Sequence, residues 1–211
     1  MLDRDVGRIV DLVDRLGLKE STLIVFTSDN GGHSTIWDGF DTNGPLRGYK
    51  RDLTEGGIRV PFITRWPGKV PAGETSDEMV AFQDMLPTFA ELANENIPVF
   101  VDGISVVDAF LGHKLRETHP YLYWDYGHCR GRYDQAVRIG KWKGIQYGKN
   151  ADIQLYNLNK DIGESNNVAM KYPEMVEKID SIMKVAYEPS KRYPVGKKYK
   201  GGPIWKKDEI H

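Results

Sequence analysis

Cysteine is nearly absent: the 211 residues contain one, Cys129. A single thiol excludes an intrachain disulfide framework and a cysteine-rich metal site. Long apolar runs are missing too, and none approaches the roughly 20 residues that a membrane helix needs. Met1 opens into a charged amphipathic segment rather than a signal peptide. Nor is there an excess of charge of one sign. With 29 basic against 30 acidic residues, bulk electrostatics point neither to nucleic acid nor to a membrane surface. Internal repeats and low-complexity stretches are lacking as well. What the chain does have is apolar side chain, 40% of its residues, enough at this length for a buried core in one domain with a smaller appendage.

The order of elements suggests an α/β fold. Val6, Ile9, Val10, Leu12, Val13 and Leu16 recur at helical spacing, and Gly17 follows as a C-cap. Thr22-Leu-Ile-Val-Phe-Thr27 is a continuous β-branched and aromatic run, the pattern of a strand buried on both faces of a parallel or mixed sheet. Val60 to Trp66 reads as a further strand and Gln83 to Glu95 as a helix. Beyond Gly112 the pattern changes. Tyr121 to Tyr126, Gln135 to Ile139, Trp142 to Tyr147 and Ile153 to Tyr156 are short strands separated by turn residues, predicting a small antiparallel sheet. Pro173 to Tyr187 carries Met175, Val176, Ile179, Ile182, Met183 and Ala186 at helical spacing, a helix to pack on that sheet. The expected organisation is an α/β portion over 1–112, a small α+β subdomain over 113–190 and an extended basic tail over 191–211.

Ser28 to Gly57 holds the chemistry. Asp29 and Asn30 directly follow a strand, where open α/β sheets place ligands. A carboxylate and an amide carbonyl are hard oxygen donors, suited to calcium or magnesium and poorly to zinc; Asp-Asn-Gly-Gly is equally the composition of a tight turn. Lys50 lies in a glycine-rich loop, Pro45-Leu-Arg-Gly-Tyr-Lys50 followed by Glu55-Gly-Gly57. An ammonium there either neutralises an oxyanion or stands in solvent as most lysines do. Arg47 reads as a partner of Glu55 or Asp52, or as a substrate contact.

Several ordered motifs carry a resemblance. Phe26-Thr-Ser-Asp-Asn-Gly31, Gly44-Pro-Leu-Arg-Gly-Tyr-Lys50, Glu55-Gly-Gly-Ile-Arg-Val-Pro61 and Trp66-Pro-Gly68 resemble the second half of a type I sulfatase, within the alkaline phosphatase superfamily. Asp84-Met-Leu-Pro-Thr88, Asp102-Gly-Ile-Ser105, Ala136-Val-Arg-Ile-Gly-Lys-Trp-Lys143 and Leu155-Tyr-Asn-Leu158 with Asp161 continue it. The spacer from His33 to Asn43 is similar to that of bacterial enzymes acting on polysaccharides. The resemblance implies a partial alkaline-phosphatase-like mixed sheet with flanking helices. It also implies a divalent cation, calcium, at Asp29 and Asn30, and Lys50 on the sulfate group.

Two further acidic ligands and the Cys- or Ser-x-Pro-x-Arg motif, whose first residue becomes formylglycine, would precede these segments in the family. Neither stands in this chain, where Cys129 is followed by Arg-Gly-Arg. The expected reading is a sulfuric ester hydrolase acting on a sulfated carbohydrate or aryl sulfate, present as a portion without its nucleophile and inactive alone. A periplasmic or secreted parent goes with it. His33, His128 and Arg138 are candidate substrate contacts; His33 also reads as a surface residue and Arg138 as the partner of an acid across the sheet. Trp37 and Asp38 suit a sugar ring or loop packing. Two alternatives stand: a phosphatase or phosphodiesterase of the same superfamily, for which Asn30 occupies the position of an expected zinc-binding His, and a non-catalytic remnant.

Overall fold

A computed structural model describes residues 1–33, 41–126 and 132–188. In chain order the elements are helix α1 (Leu2–Arg15), strand β1 (Ile24–Thr27), the short helical turn α2 (Glu55–Ile58) and β2 (Phe62–Arg65). Helices α3 (Met85–Leu92) and α4 (Val107–Phe110) follow, then strands β3 (Leu122–Tyr126), β4 (Asp134–Ile139), β5 (Trp142–Tyr147) and β6 (Ile153–Asn157), and helix α5 (Pro173–Ala186). The chain divides into two compact units. The first comprises Met1–Ser28 and Pro61–Pro120, the second Asp29–Val60 and the residues from Tyr121 onward. The expected tail, 191–211, lies outside the described residues.

In the first unit, α1 ends where Gly17 takes φ +71 and donates its amide to the Asp14 carbonyl, a left-handed stop that suits glycine. The following strand departs from expectation. β1 pairs antiparallel with β2 in a two-stranded ribbon, Ile24 opposite Arg65 and Thr27 opposite Phe62, and its residues are half-buried. All four residues of this strand, which has one neighbour in the ribbon, are only partly buried, so an apolar run does not by itself dictate full burial. Around α3 the order comes from a buried carboxylate. Asp84 accepts the Ala81 and Ile104 amides at 2.7 and 3.0 Å and lies 2.8 Å from Nε2 of His119, while Thr88 accepts the Val106 amide at 2.9 Å. These bonds satisfy loop groups that burial would otherwise leave unpaired.

The second unit is built on a four-stranded antiparallel meander, β3-β4-β5-β6. Gly140 and Lys141 form the β4–β5 turn, with Gly140 at φ +52. Alternation sends the two faces to different partners. Val137, Ile153 and Leu155 pack on Ile179 and Met183 of α5, and Gly144 sits so close beneath Ile179 that a Cβ there would lie 2.7 Å from the Ile179 Cγ2. Pro173 opens α5 at its first turn, where its missing N–H costs nothing. The opposite face presents Ala136, Ile145 and Tyr156, and Leu53 and Ile58 of the Asp29–Val60 segment pack against it. That face positions the candidate site.

Candidate functional site

Three backbone segments meet above the sheet, and glycine makes the meeting sterically possible. The Gly31 amide donates to the Gly57 carbonyl at 3.0 Å, the Gly56 amide to the Arg47 carbonyl at 2.8 Å, and the Lys50 amide to the Gly32 carbonyl at 2.8 Å. A Cβ on Gly31 would lie 1.7 Å from the Gly56 oxygen, and one on Gly57 2.1 Å from the Asp52 oxygen. No side chain fits between strands of backbone so close, which explains the residue type at both positions. Asn43 closes the assembly, accepting the Gly32 amide at 2.9 Å and donating to the Gly48 carbonyl at 2.8 Å.

This arrangement brings the loop of Asp29 and Asn30 beside Lys50, across twenty positions of sequence. Asp29 is exposed and Asn30 and Lys50 are half-buried. Nδ2 of Asn30 donates to the Gly31 carbonyl at 3.0 Å, which turns the amide oxygen away from that carbonyl. His33 is exposed directly after the glycine pair. Arg138 sits elsewhere. On β4, it donates from Nε to the Gly140 carbonyl at 3.1 Å and holds Nη1 3.8 Å from Glu55 Oε2. The acid it faces therefore comes from the loop segment and not from a neighbouring strand. His128, with Trp37 and Asp38, lies outside the described residues.

Arg47 also takes partners other than those the sequence suggested. Its guanidinium stacks 4.9 Å from the centroid of Tyr156 and donates to the hydroxyls of Tyr147 and Tyr156 at 3.4 and 3.3 Å. Glu55 pairs with the sheet instead. Its Oε1 accepts from Lys143 Nζ at 2.8 Å, its Oε2 lies 3.4 Å from Arg59 Nη1, and its amide donates to Glu164 Oε2 at 2.7 Å. Lys143 Nζ also makes an ion pair at 3.3 Å with Glu164 Oε1, outside hydrogen-bond geometry. All three of these side chains are buried. Burial works against ionisation of Glu55, but the Lys143 ammonium, seconded by Arg138 and Arg59, outweighs it and holds the carboxyl below the usual range. At Glu164 burial prevails and pushes the carboxyl up, against the pull of Lys143.

Sequence reading missed this buried cluster because lysine and glutamate are normally solvated. The available signal was parity: Lys143 shares its strand face with Ile145, which points into the core. Among the described residues, no group of three or more His, Cys, Asp or Glu side chains is placed to hold a metal. Asp29 and Asn30 fit a hard cation by donor type, as two oxygens of the roughly six to eight that calcium takes.

The model of the C-terminal part of N-sulphoglucosamine sulphohydrolase matches residues 48–198. The chain belongs to the sulfatase family. Among its relatives, human steryl-sulfatase is 38% identical over 146 residues, covering 65% of this chain and 24% of that protein. The N-acetylgalactosamine-6-sulfatase of Canis lupus familiaris is 30% identical over 201 residues, covering 92% and 37%. Of solved structures, Ps i-CgsB in complex with k-i-k-neocarrahexaose matches with a TM-score of 0.77 at 33% identity, over 87% of this chain and 40% of that one. The sulfatase fold is thereby shown, and the chain spans well under half the length of each relative. Among the described residues, no helix is long and apolar enough to cross a membrane.

Proposed function

We propose that this chain supplies part of the active site of a sulfuric ester hydrolase: Asp29 and Asn30 as ligands of a divalent cation, calcium by donor type, and Lys50 as a clamp on the sulfate group. The observation that carries the reading is the Lys50 amide bonded to the Gly32 carbonyl at 2.8 Å, which joins the ammonium-bearing loop to the acid–amide pair. Family membership supports it independently. A sulfated sugar as substrate is supported by a relative named N-acetylgalactosamine-6-sulfatase and by a structural neighbour complexed with a neocarrahexaose. The aryl sulfate alternative is in keeping with the similarity to arylsulfatase A. His33, His128 and Arg138 remain candidates for the sugar side of the site, and a periplasmic or secreted location goes with this reading.

Sulfate-ester cleavage leaves negative charge on oxygen, and a bound cation would offset part of it on the sulfate oxygens. Within this chain Asp29 would balance the cation's charge and Asn30 would add a neutral oxygen donor. Lys50, on a loop whose backbone is tied to the Gly32 carbonyl, would meet the charge that develops as the S–O bond lengthens. A formylglycine, which the family resemblance implies, would supply the covalent nucleophile; Asp29, Asn30 and Lys50 would not perform that step. In a polypeptide that joins this chain to a formylglycine-bearing segment, Lys50→Ala lowers turnover of 4-nitrophenyl sulfate by roughly two to three orders of magnitude, as loss of a transition-state donor does elsewhere. Near-normal turnover removes Lys50 from the site.

A further inference from the structure

Of the ionisable groups that the proposed reaction leaves unused, the buried trio Glu55, Lys143 and Glu164 is the most conspicuous. We infer that Lys143 and Glu164 are positioning residues, which fix the backbone carrying Asn30 and Lys50 by clamping Glu55 at the head of α2. The purpose assigned to that backbone rests on the sulfatase reading; the mechanical link does not.

The link is a chain of short contacts. Lys143 Nζ holds the Glu55 carboxylate at 2.8 Å, and Glu164 Oε2 holds the Glu55 amide at 2.7 Å, so α2 is gripped by side chain and main chain together. The next residues pass the position on. Gly56 bonds Arg47, Gly57 bonds Gly31, and the neighbouring Gly32 bonds Lys50. At each step the contact is backbone on backbone. A Cβ on Gly56 would lie 2.4 Å from the Gly48 oxygen, just as one on Gly31 would overlap Gly56. With no flexible side chain between them, a displacement of α2 carries the Gly31–Gly32 and Arg47–Lys50 segments with it.

Stability alone does not call for charges here. A buried ion pair is no better than well-packed apolar residues of the same volume, and the same face already buries Ala136, Ile145 and Leu53. What three ionic groups add is direction, since each hydrogen bond admits a narrow range of geometry. Glu164 also holds φ +50, a conformation that non-glycine residues adopt at a cost. The Asp161 carboxylate builds the turn that imposes it, accepting the Ser165 and Asn166 amides at 3.1 and 2.8 Å. In that conformation the Glu164 carboxylate reaches the Glu55 amide at 2.7 Å.

Amide hydrogen exchange on the whole chain tests this without any activity. In Lys143→Met, loss of the buried partner accelerates exchange at Gly31, Lys50 and Gly56 at least about 100-fold, while amides of β4 and β5 stay within about threefold of wild type. In Glu164→Gln, whose oxygen still accepts the Glu55 amide, the same three sites accelerate about tenfold. Unchanged exchange at those sites overturns the inference, and so does parallel loss across the sheet, which makes Lys143 an ordinary core residue. Should Lys143→Met not fold, wild-type exchange in mild denaturant decides. Glu55, Gly31 and Lys50 must then share one opening event distinct from the sheet, and separate openings overturn the coupling. Calcium titration, followed at the Asn30 and Gly31 amides, separates the two readings. A coupled loop that ignores calcium removes the metal assignment and keeps the positioning role.

Discussion

Helix α1 in the first unit and strand β6 in the second both carry leucine, yet they meet different fates. Leu155 of β6 is 0% exposed beneath α5, whereas Leu12 of α1 is 48% exposed and α1 buries none of its residues. The contrast extends through both units. Val106, Val107 and Phe110 are the buried hydrophobics of the first among the described residues; the second gathers Val137, Ile145, Leu155, Ile179 and Met183 on the two faces of one sheet. Amphipathic spacing predicts a helix, but burial needs a second layer, and only the meander supplies its own on both sides.

Leucine-to-alanine substitution breaks or sharpens that comparison most strongly. Leu155→Ala opens a cavity in a closed core and costs about 2–5 kcal/mol of unfolding free energy. Leu12→Ala removes a side chain already half in water and raises helix propensity, so its effect stays within about 0.5 kcal/mol. Urea denaturation of the two variants measures both. Equal losses contradict the picture of α1 as a thinly packed helix.

Protonation gives a smaller but more selective effect, confined to the second unit. Glu164 titrates above the ordinary glutamate value of 4.5 and Glu55 below it. An acid raised by folding leaves the folded state the better proton binder, so stability is gained as pH falls through its folded value. An acid lowered by folding stabilises above its unfolded value, and that contribution goes as pH falls through the folded one. From neutrality downward the second unit is therefore first steadied by Glu164, then weakened below about 4.5 by Glu55, while Lys143, Arg138 and Arg59 face the pair. In Glu164→Gln the first leg flattens and the second persists. Urea midpoints measured between neutral pH and the acid limb read out both legs; a wild-type profile that only declines sinks the assignment to Glu164.

How much of this was legible beforehand follows from where each signal resides. Trp142–Tyr147 was readable to the residue because period-two alternation and the flanking turns are local. Pro173 marked the start of α5 for the same reason. The turn Glu55–Ile58 was not foreseen, since its anchor is Glu164, 109 positions away. Asp29, Asn30 and Lys50 were singled out from composition and motif, and the Gly32–Lys50 bond shows why those glycines accompany them. From charge, Arg47 reads as a partner of Glu55 or Asp52, or as a substrate contact. It went to Tyr147 and Tyr156 because the sheet face beneath the loop is aromatic there.

The weakest expected effect concerns Arg116, which carries the first unit's closest match to the buried cluster. Its Nη2 lies 2.6 Å from Glu91 and its Nε 2.6 Å from Asp108, distances as short as that of Lys143 to Glu55. The hydrogen bond from Arg116 is the main cause holding the Asp108 carboxyl below its usual range. Geometry and titration would thus rank the two clusters alike, but the medium does not. The Arg116 side chain is 68% exposed while that of Lys143 is fully covered, so water and salt screen the first pair and leave the second unscreened. Arg116→Ala accordingly leaves the urea midpoint unchanged within error, in low salt and in high. A clear salt-dependent loss in that variant means that surface ion pairs, and not only the small Val106–Phe110 core, hold the first unit together.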